Sequence, residues 1–220
     1  MKAWLTALIA LLCSGLALAL GAAMLTLPEF VVRLPGQVTA NLDASGVAHP
    51  VTAVLLNFRG YDTLLEVAVL LLALLGVLAL SRHASGHAHP AAPAHPVLQT
   101  LARLLAPLMV LVAGYLLWIG AYAPGGAFQA GAVLAAAGVL LRLAGLLPAW
   151  AQPGVLLRGG LVLGLLVFLA VAVAGLPQGE LLHYPPALAG ALILLVEAGL
   201  TLSIGLTLAG LYLASAEWRQ

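Results

Sequence analysis

Six apolar runs, each close to the length needed to cross a lipid bilayer, constrain this chain more than any other feature of its sequence. A hydrocarbon core of about 30 Å needs roughly 20 apolar residues at about 1.5 Å of helical rise each. Runs of that order occupy residues 3–27, 61–81, 97–122, 128–147, 155–176 and 187–215. The breaks between them carry turn chemistry: Leu34-Pro35-Gly36, the Pro/His/Ala stretch after Arg82, Pro124-Gly125-Gly126, Gln152-Pro153-Gly154 and Tyr184-Pro185-Pro186. Inside lipid no water is available to bond a bare backbone amide, and a helix satisfies its own. The expected fold is therefore an all-α integral membrane protein of about six transmembrane helices. Charged residues make up 7% of the chain, against about a quarter in a soluble domain, which leaves lipid as the solvent.

The positive charges orient the helices, because Lys and Arg are retained on the cytoplasmic side. An N-in, C-in arrangement puts Lys2, Arg82, Arg103, Arg142, Arg158 and Arg219 inside and only Arg33 and Arg59 outside. Arg103 and Arg142 fall slightly within their spans, where a long side chain snorkels to the interface. Met1-Lys2 followed by apolar residues also begins a secretory signal, but residues 4–27 carry no charge and exceed the roughly 7–15 residues of a signal core, so a retained helix is expected. A net charge of +1 without basic clusters gives no reason to expect a nucleic-acid partner. The single Cys13 excludes an intrachain disulfide and a thiolate metal cluster.

Residues 83–96 read as a linker of His, Pro and Ala with no apolar face to bury. They divide the chain into a two-helix portion, 1–82, and a four-helix portion, 97–220. Four histidines, His83, His87, His89 and His95, lie in that linker, but flexible spacing without an acid or cysteine does not fix a metal geometry, and no metal site is expected. Residues 28–60 are too long for a tight turn. Within them Val51-Thr52-Ala53-Val54-Leu55-Leu56 is either strand-like or re-entrant.

Acids within apolar spans are the candidates for chemistry. Glu197 falls ten residues into the sixth run, about 15 Å down and near mid-bilayer, with no charged neighbour in sequence. A carboxylate there costs a few kcal/mol unless it is protonated, paired or facing water, so it either exchanges protons, holds a small cation or hydrogen-bonds another helix. Thr201 one turn later and Gly190 two turns earlier share its face and form a small, polar stripe. Asp62 and Glu66 sit four residues apart where the second span begins, with Arg59 within reach of Asp62. Asp62 also suits a helix start, where acids favour the positive dipole end. In the uncharged turn before the fourth span, Gly125 and Gly126 allow a sharp reversal, and Phe128 and Gln129 offer an aromatic ring and an amide to a partner chain or hydrated entrance. Gly131 with Ala135, and Gly160 with Gly164, provide close-packing faces. No nucleophile elbow, HExxH helix or phosphate loop occurs, so the chain is not expected to be an enzyme or to carry a cofactor.

The segment Pro-Gly-Gly-Ala-Phe-Gln-Ala-Gly at 124–131, with Arg103 and Pro107 at the start of the preceding helix, resembles the MnhB family of membrane subunits from Mrp-type multisubunit sodium/proton antiporters. Ala127 stands where that family carries a third glycine. The segment Asn57-Phe58-Arg59-Gly60-Tyr61-Asp62-Thr63-Leu64-Leu65-Glu66 resembles a motif in the C-terminal extension of the large subunit of the same antiporters, also found as a small membrane subunit of hydrogenases related to complex I. Together the two resemblances cover nearly the whole chain. They imply a component of a secondary antiporter exchanging Na+ for H+ in a bacterial-type inner membrane, with large complex-I-like membrane subunits as partners. They also match Glu66 and Glu197 to family acids that are candidates for the ion or proton path. Lys2 is the only lysine, so the chain lacks a relay of buried lysines and must act with partners. A structural scaffold, or a membrane subunit of a hydrogenase or respiratory complex, are the competing expectations.

Overall fold

The structure, a computed structural model, describes residues 3–26, 34–84, 96–146 and 154–217. The described residues are helices and turns. Lys2, Arg33, Pro153, Arg219 and most of the expected linker, including His87, His89 and His95, lie outside them. Two compact units divide the chain at Gln37 and Val38. The first contains α1 (Ala3–Leu25), apolar around its whole circumference, as a helix facing lipid must be. A short helix follows, α2 (Leu34–Asn41), built from residues whose Pro-Gly pair predicts a break. Pro35 is accommodated because a first-turn amide has no intrahelical partner to lose.

Within the second unit, residues 51–56 resolve into helix rather than strand. Pro50 opens α3 (Pro50–Ala53), where its fixed φ suits the first helical position. The chain then loosens into a π-helical turn at Val54–Phe58 and restarts at Gly60 as α4 (Gly60–Ala84). The Thr63 hydroxyl donates to the Leu55 carbonyl at 2.5 Å, which satisfies backbone acceptor capacity at this irregular junction. The remaining elements are α5 (Pro96–Ile119), α6 (Ala127–Leu143), α7 (Val155–Ala174) and α8 (Ala189–Glu217). Pro107 lies inside α5 rather than at its start.

Five helices among the described residues are long and apolar enough to span a membrane, and α6 is a shorter sixth. Its 17 residues give about 26 Å of helix, just under the bilayer core. It stops before Leu147 because Gly145 adopts φ +66. The Leu146 amide bonds the Leu141 carbonyl at 2.8 Å and the Gly145 amide that of Arg142 at 3.0 Å, which together close a Schellman cap.

Helix α8 is the axis of this unit, with α4, α5, α6 and α7 packed against it. Small residues set the distances. A Cβ at Gly164 would come within 2.9 Å of the Gly199 carbonyl, so the α7 and α8 backbones meet directly. Gly131 of α6 lies against the Ile204 side chain and the Thr201 carbonyl, and Gly160 against the tip of Leu206, whereas Gly190 packs on the Gly46 carbonyl outside the helix bundle. One apolar core joins Leu56 and Val67 to Phe168, Ile193, Val196 and Leu200, so residues before and after the linker share a single interior.

Candidate functional site

The α5–α6 connection is recessed rather than perched on the end of the bundle. The Gly126 amide donates to the Leu116 carbonyl at 2.8 Å, three residues before α5 ends at Ile119. Residues 120–125 thus fold back beside the last turn of α5, and α6 starts below the rim. From above, the turn is held by the 48–52 segment: the Ala48 and His49 amides both reach the Ala121 carbonyl at 3.0 Å, and the buried Thr52 hydroxyl donates to the Gly120 carbonyl at 2.5 Å.

The first amides of any α-helix have no intrahelical acceptor. Gly126, the N-cap of α6, has no side chain to supply one. Glu197 supplies it from α8: its Oε1 accepts from the Ala127 amide at 3.3 Å. Glu197 is 4% exposed and lies eight residues past the start of α8, about 12 Å along the helix. A carboxyl group is thereby placed within the bilayer span against the positive end of a helix dipole. Gly126 adopts φ +107, and a Cβ there would stand 2.7 Å from Glu197 Oε1, so both conformation and space require glycine. The nearest Gln129 atom to that Cβ position is its Oε1, at 3.9 Å. Gln129 itself is exposed, while Phe128 packs on the apolar core. Gly125 lies against the Leu116 carbonyl and the Gly120 amide, close enough to exclude a side chain.

The other candidate residues stand apart from this constellation. Thr201 is buried on the Glu197 face, but its hydroxyl donates to the Glu197 backbone carbonyl at 2.8 Å rather than to the carboxyl group. Arg59 and Asp62 form an exposed ion pair at the start of α4, worth about 0–1 kcal/mol. Glu66 is exposed, off the α4 face that buries Gly60, Thr63, Val67 and Leu74, and makes no ion pair among the described residues. The two acids that sequence ranks together are thus separated by packing: Glu197 turns into the protein and Glu66 outward.

Two features escape sequence reasoning. The Ala127 amide is a ligand only because α8 brings Glu197 to it from 70 residues away. Tyr184, before α8, is 7% exposed and buries a hydroxyl with no hydrogen-bond partner among the described residues. That burial pushes its phenol above the usual tyrosine range. No group of three or more His, Cys, Asp or Glu able to hold a metal occurs among the described residues.

A family model described as a domain related to the MnhB subunit of Na+/H+ antiporter matches residues 97–214. A chain of the membrane-bound sulfane sulfur reductase, an archaeal respiratory membrane complex, is similar with a TM-score of 0.71 and 26% identity, over 98% of each chain. A chain in the structure of the Mrp complex from Dietzia sp. DQ12-45-1b is similar with a TM-score of 0.68 and 25% identity, over 96% of this chain but 26% of that one. No curated protein matches.

Proposed function

The chain belongs to the family of domains related to the MnhB subunit of the Na+/H+ antiporter, and on that basis we propose that it serves as a membrane subunit of a multisubunit antiporter exchanging a monovalent cation, Na+, for H+. It is a component of a transporter rather than an enzyme, seated in a bacterial-type inner membrane beside large complex-I-like membrane subunits. The similarity to part of a longer Mrp-complex chain supports reading 1–82 and 97–220 as two modules of such an assembly, joined through 83–96.

The observation that carries the mechanism is the buried Glu197 carboxyl at the N-terminus of α6. In its neutral form the group holds a proton. In its ionised form it accepts the Ala127 amide and offers its remaining lone pairs to a cation or to water. Exchange of H+ for Na+ at one carboxyl obeys charge balance, because either occupant leaves the pair neutral. Glu66 and the Arg59–Asp62 pair, exposed on this chain, are where a neighbouring subunit would complete the path.

Glu197→Gln tests this in the assembled complex, since the amide keeps shape and acceptor oxygen but cannot release a proton. We expect antiport in inverted membrane vesicles to be lost while subunits still copurify. Wild-type antiport in Glu197→Gln, with failed assembly in Glu197→Leu, would leave the acid a structural cap and overturn the proposal.

The end-to-end correspondence with a chain of the sulfane sulfur reductase complex supports a second reading, a membrane subunit of a respiratory complex in which electron transfer drives the ion movement. The chain's single cysteine supplies no iron–sulfur cage, so redox centres would belong to other subunits. Proteins that copurify in mild detergent separate the two: antiporter-type subunits alone for the first, iron–sulfur subunits for the second.

A further inference from the structure

A cleft of about 470 Å³ opens at the end of the bundle where α5 finishes and α8 begins. Asp43, Trp118, Ala121, Tyr122, Gly190 and Leu194 are among the residues that line it. Its volume holds on the order of ten waters. Among the described residues of the lining Asp43 is the only formally charged one, so these residues carry negative charge and no competing cation.

Two walls of this cleft lead to Glu197. On α8 the lining residues Gly190, Ala191 and Leu194 span an arc of about 100° at 100° per residue, and Glu197 lies about 20° beyond its Gly190 edge, so the face that lines the cleft borders, one turn deeper, on the carboxyl group. On the opposite side Ala121 lines the cleft, and the same turn ends at Gly126, against Glu197 Oε1. Leu194, 42% exposed, is the last side chain of the α8 wall before Glu197. Trp118 and Tyr122 add aromatic faces, their rings 5.8 Å apart. Such faces attract cations and leave anions unsolvated.

From this continuity we infer that the cleft is the route by which a hydrated monovalent cation reaches Glu197 from the α5–α6 loop end, with Asp43 drawing the cation in and Leu194 forming the inner threshold. The inference rests on the proposed role of Glu197 and adds a direction of access and the groups that select charge. A neighbouring subunit or a lipid chain filling the cleft is the alternative occupant, and labelling distinguishes it.

The test uses the assembled complex in its membrane, with Cys13→Ser removing this chain's own thiol and Leu194→Cys placing one in the cleft. Two membrane-impermeant methanethiosulfonate reagents, one cationic and one anionic, serve as probes, and modification of this chain is followed by mass spectrometry. We expect the cationic reagent to react about tenfold faster, as in a cleft that focuses one sign of charge. Asp43→Asn should reduce that preference to about threefold or less, because the focusing charge is gone. Sodium should slow the reaction more than choline at equal ionic strength. An unreactive Leu194→Cys beside a reactive Asp43→Cys would mean the cleft is filled by protein or lipid, and equal rates for both reagents would mean it selects no charge; either overturns the route. Neither outcome bears on Glu197→Gln, so the route can fail while the site stands.

Discussion

Gly126→Ala isolates the geometry on which the site depends, because it adds one methyl group where backbone and carboxyl both refuse it. The backbone at φ +107 and ψ −170 lies in a region that residues with a Cβ avoid at about 1–3 kcal/mol. The new Cβ would stand 2.7 Å from Glu197 Oε1, whereas ordinary contact begins at 3.4 Å, so the oxygen must withdraw by about 0.7 Å, the difference of those two distances. Its bond from the Ala127 amide is already 3.3 Å long, so a retreat of that size with a component away from the amide takes it beyond bonding range. Loss of a buried bond adds about 1–3 kcal/mol, for a total of about 2–6 kcal/mol. Thermal unfolding of the purified complex, followed by the fluorescence of a thiol-reactive dye, reads the stability loss, and antiport in vesicles reads the site. Gly138→Ala is the control, since its Cβ would make an ordinary contact with Ala209 at 3.7 Å without a strained φ, and it should cost little and spare the carboxyl. Wild-type melting and antiport in Gly126→Ala would refute the claim that Glu197 is held by the start of α6.

Two further outcomes follow from buried polar groups. Thr52→Val keeps shape but strips the 2.5 Å bond to the Gly120 carbonyl, which should destabilise by about 1–3 kcal/mol and raise hydrogen exchange in residues 120–123 selectively; unchanged exchange there would contradict the latch. Tyr184→Phe removes a hydroxyl that has no partner among the described residues, so it should leave stability unchanged or raise it by about 1 kcal/mol. Since folding raises that phenol above its unfolded value near about 10, the folded state binds its proton more tightly, and wild-type stability should fall as pH climbs past about 10. The phenylalanine variant should lose that component of the alkaline slope, and identical pH profiles for the two proteins would count against it.

Helix positions are legible because lipid leaves a chain little choice: a long apolar run must satisfy its amides within itself. The end of α6 was less legible, since the apolar run continues to Leu147 whereas the helix stops at Leu143, where Gly145 turns the backbone to φ +66. The π-helical turn at Val54–Phe58 was not, since its apolar residues fit a strand as readily and Thr63 bonds across it only after the backbone has bent. Glu66 and Glu197 look alike in sequence, each an acid in a greasy helix. What separates them is rotation about the helix axis relative to neighbours: α4 has an apolar surface on nearly every side, so no stripe marks its inward face, whereas on α8 the small, polar stripe that holds Glu197 and Thr201 is the buried one.

The sequence alone determined that this chain lies in a membrane as a set of helices, where they start and stop to within a few residues, and that two acids sit at unusual depth, because these follow from local hydropathy and turn chemistry. Only the tertiary structure decided that α6 begins below the rim and that Glu197 caps it. A cap between helices depends on the distance between two backbones, and that distance is set by the close packing of α5, α6 and α8 through residues far apart in the chain.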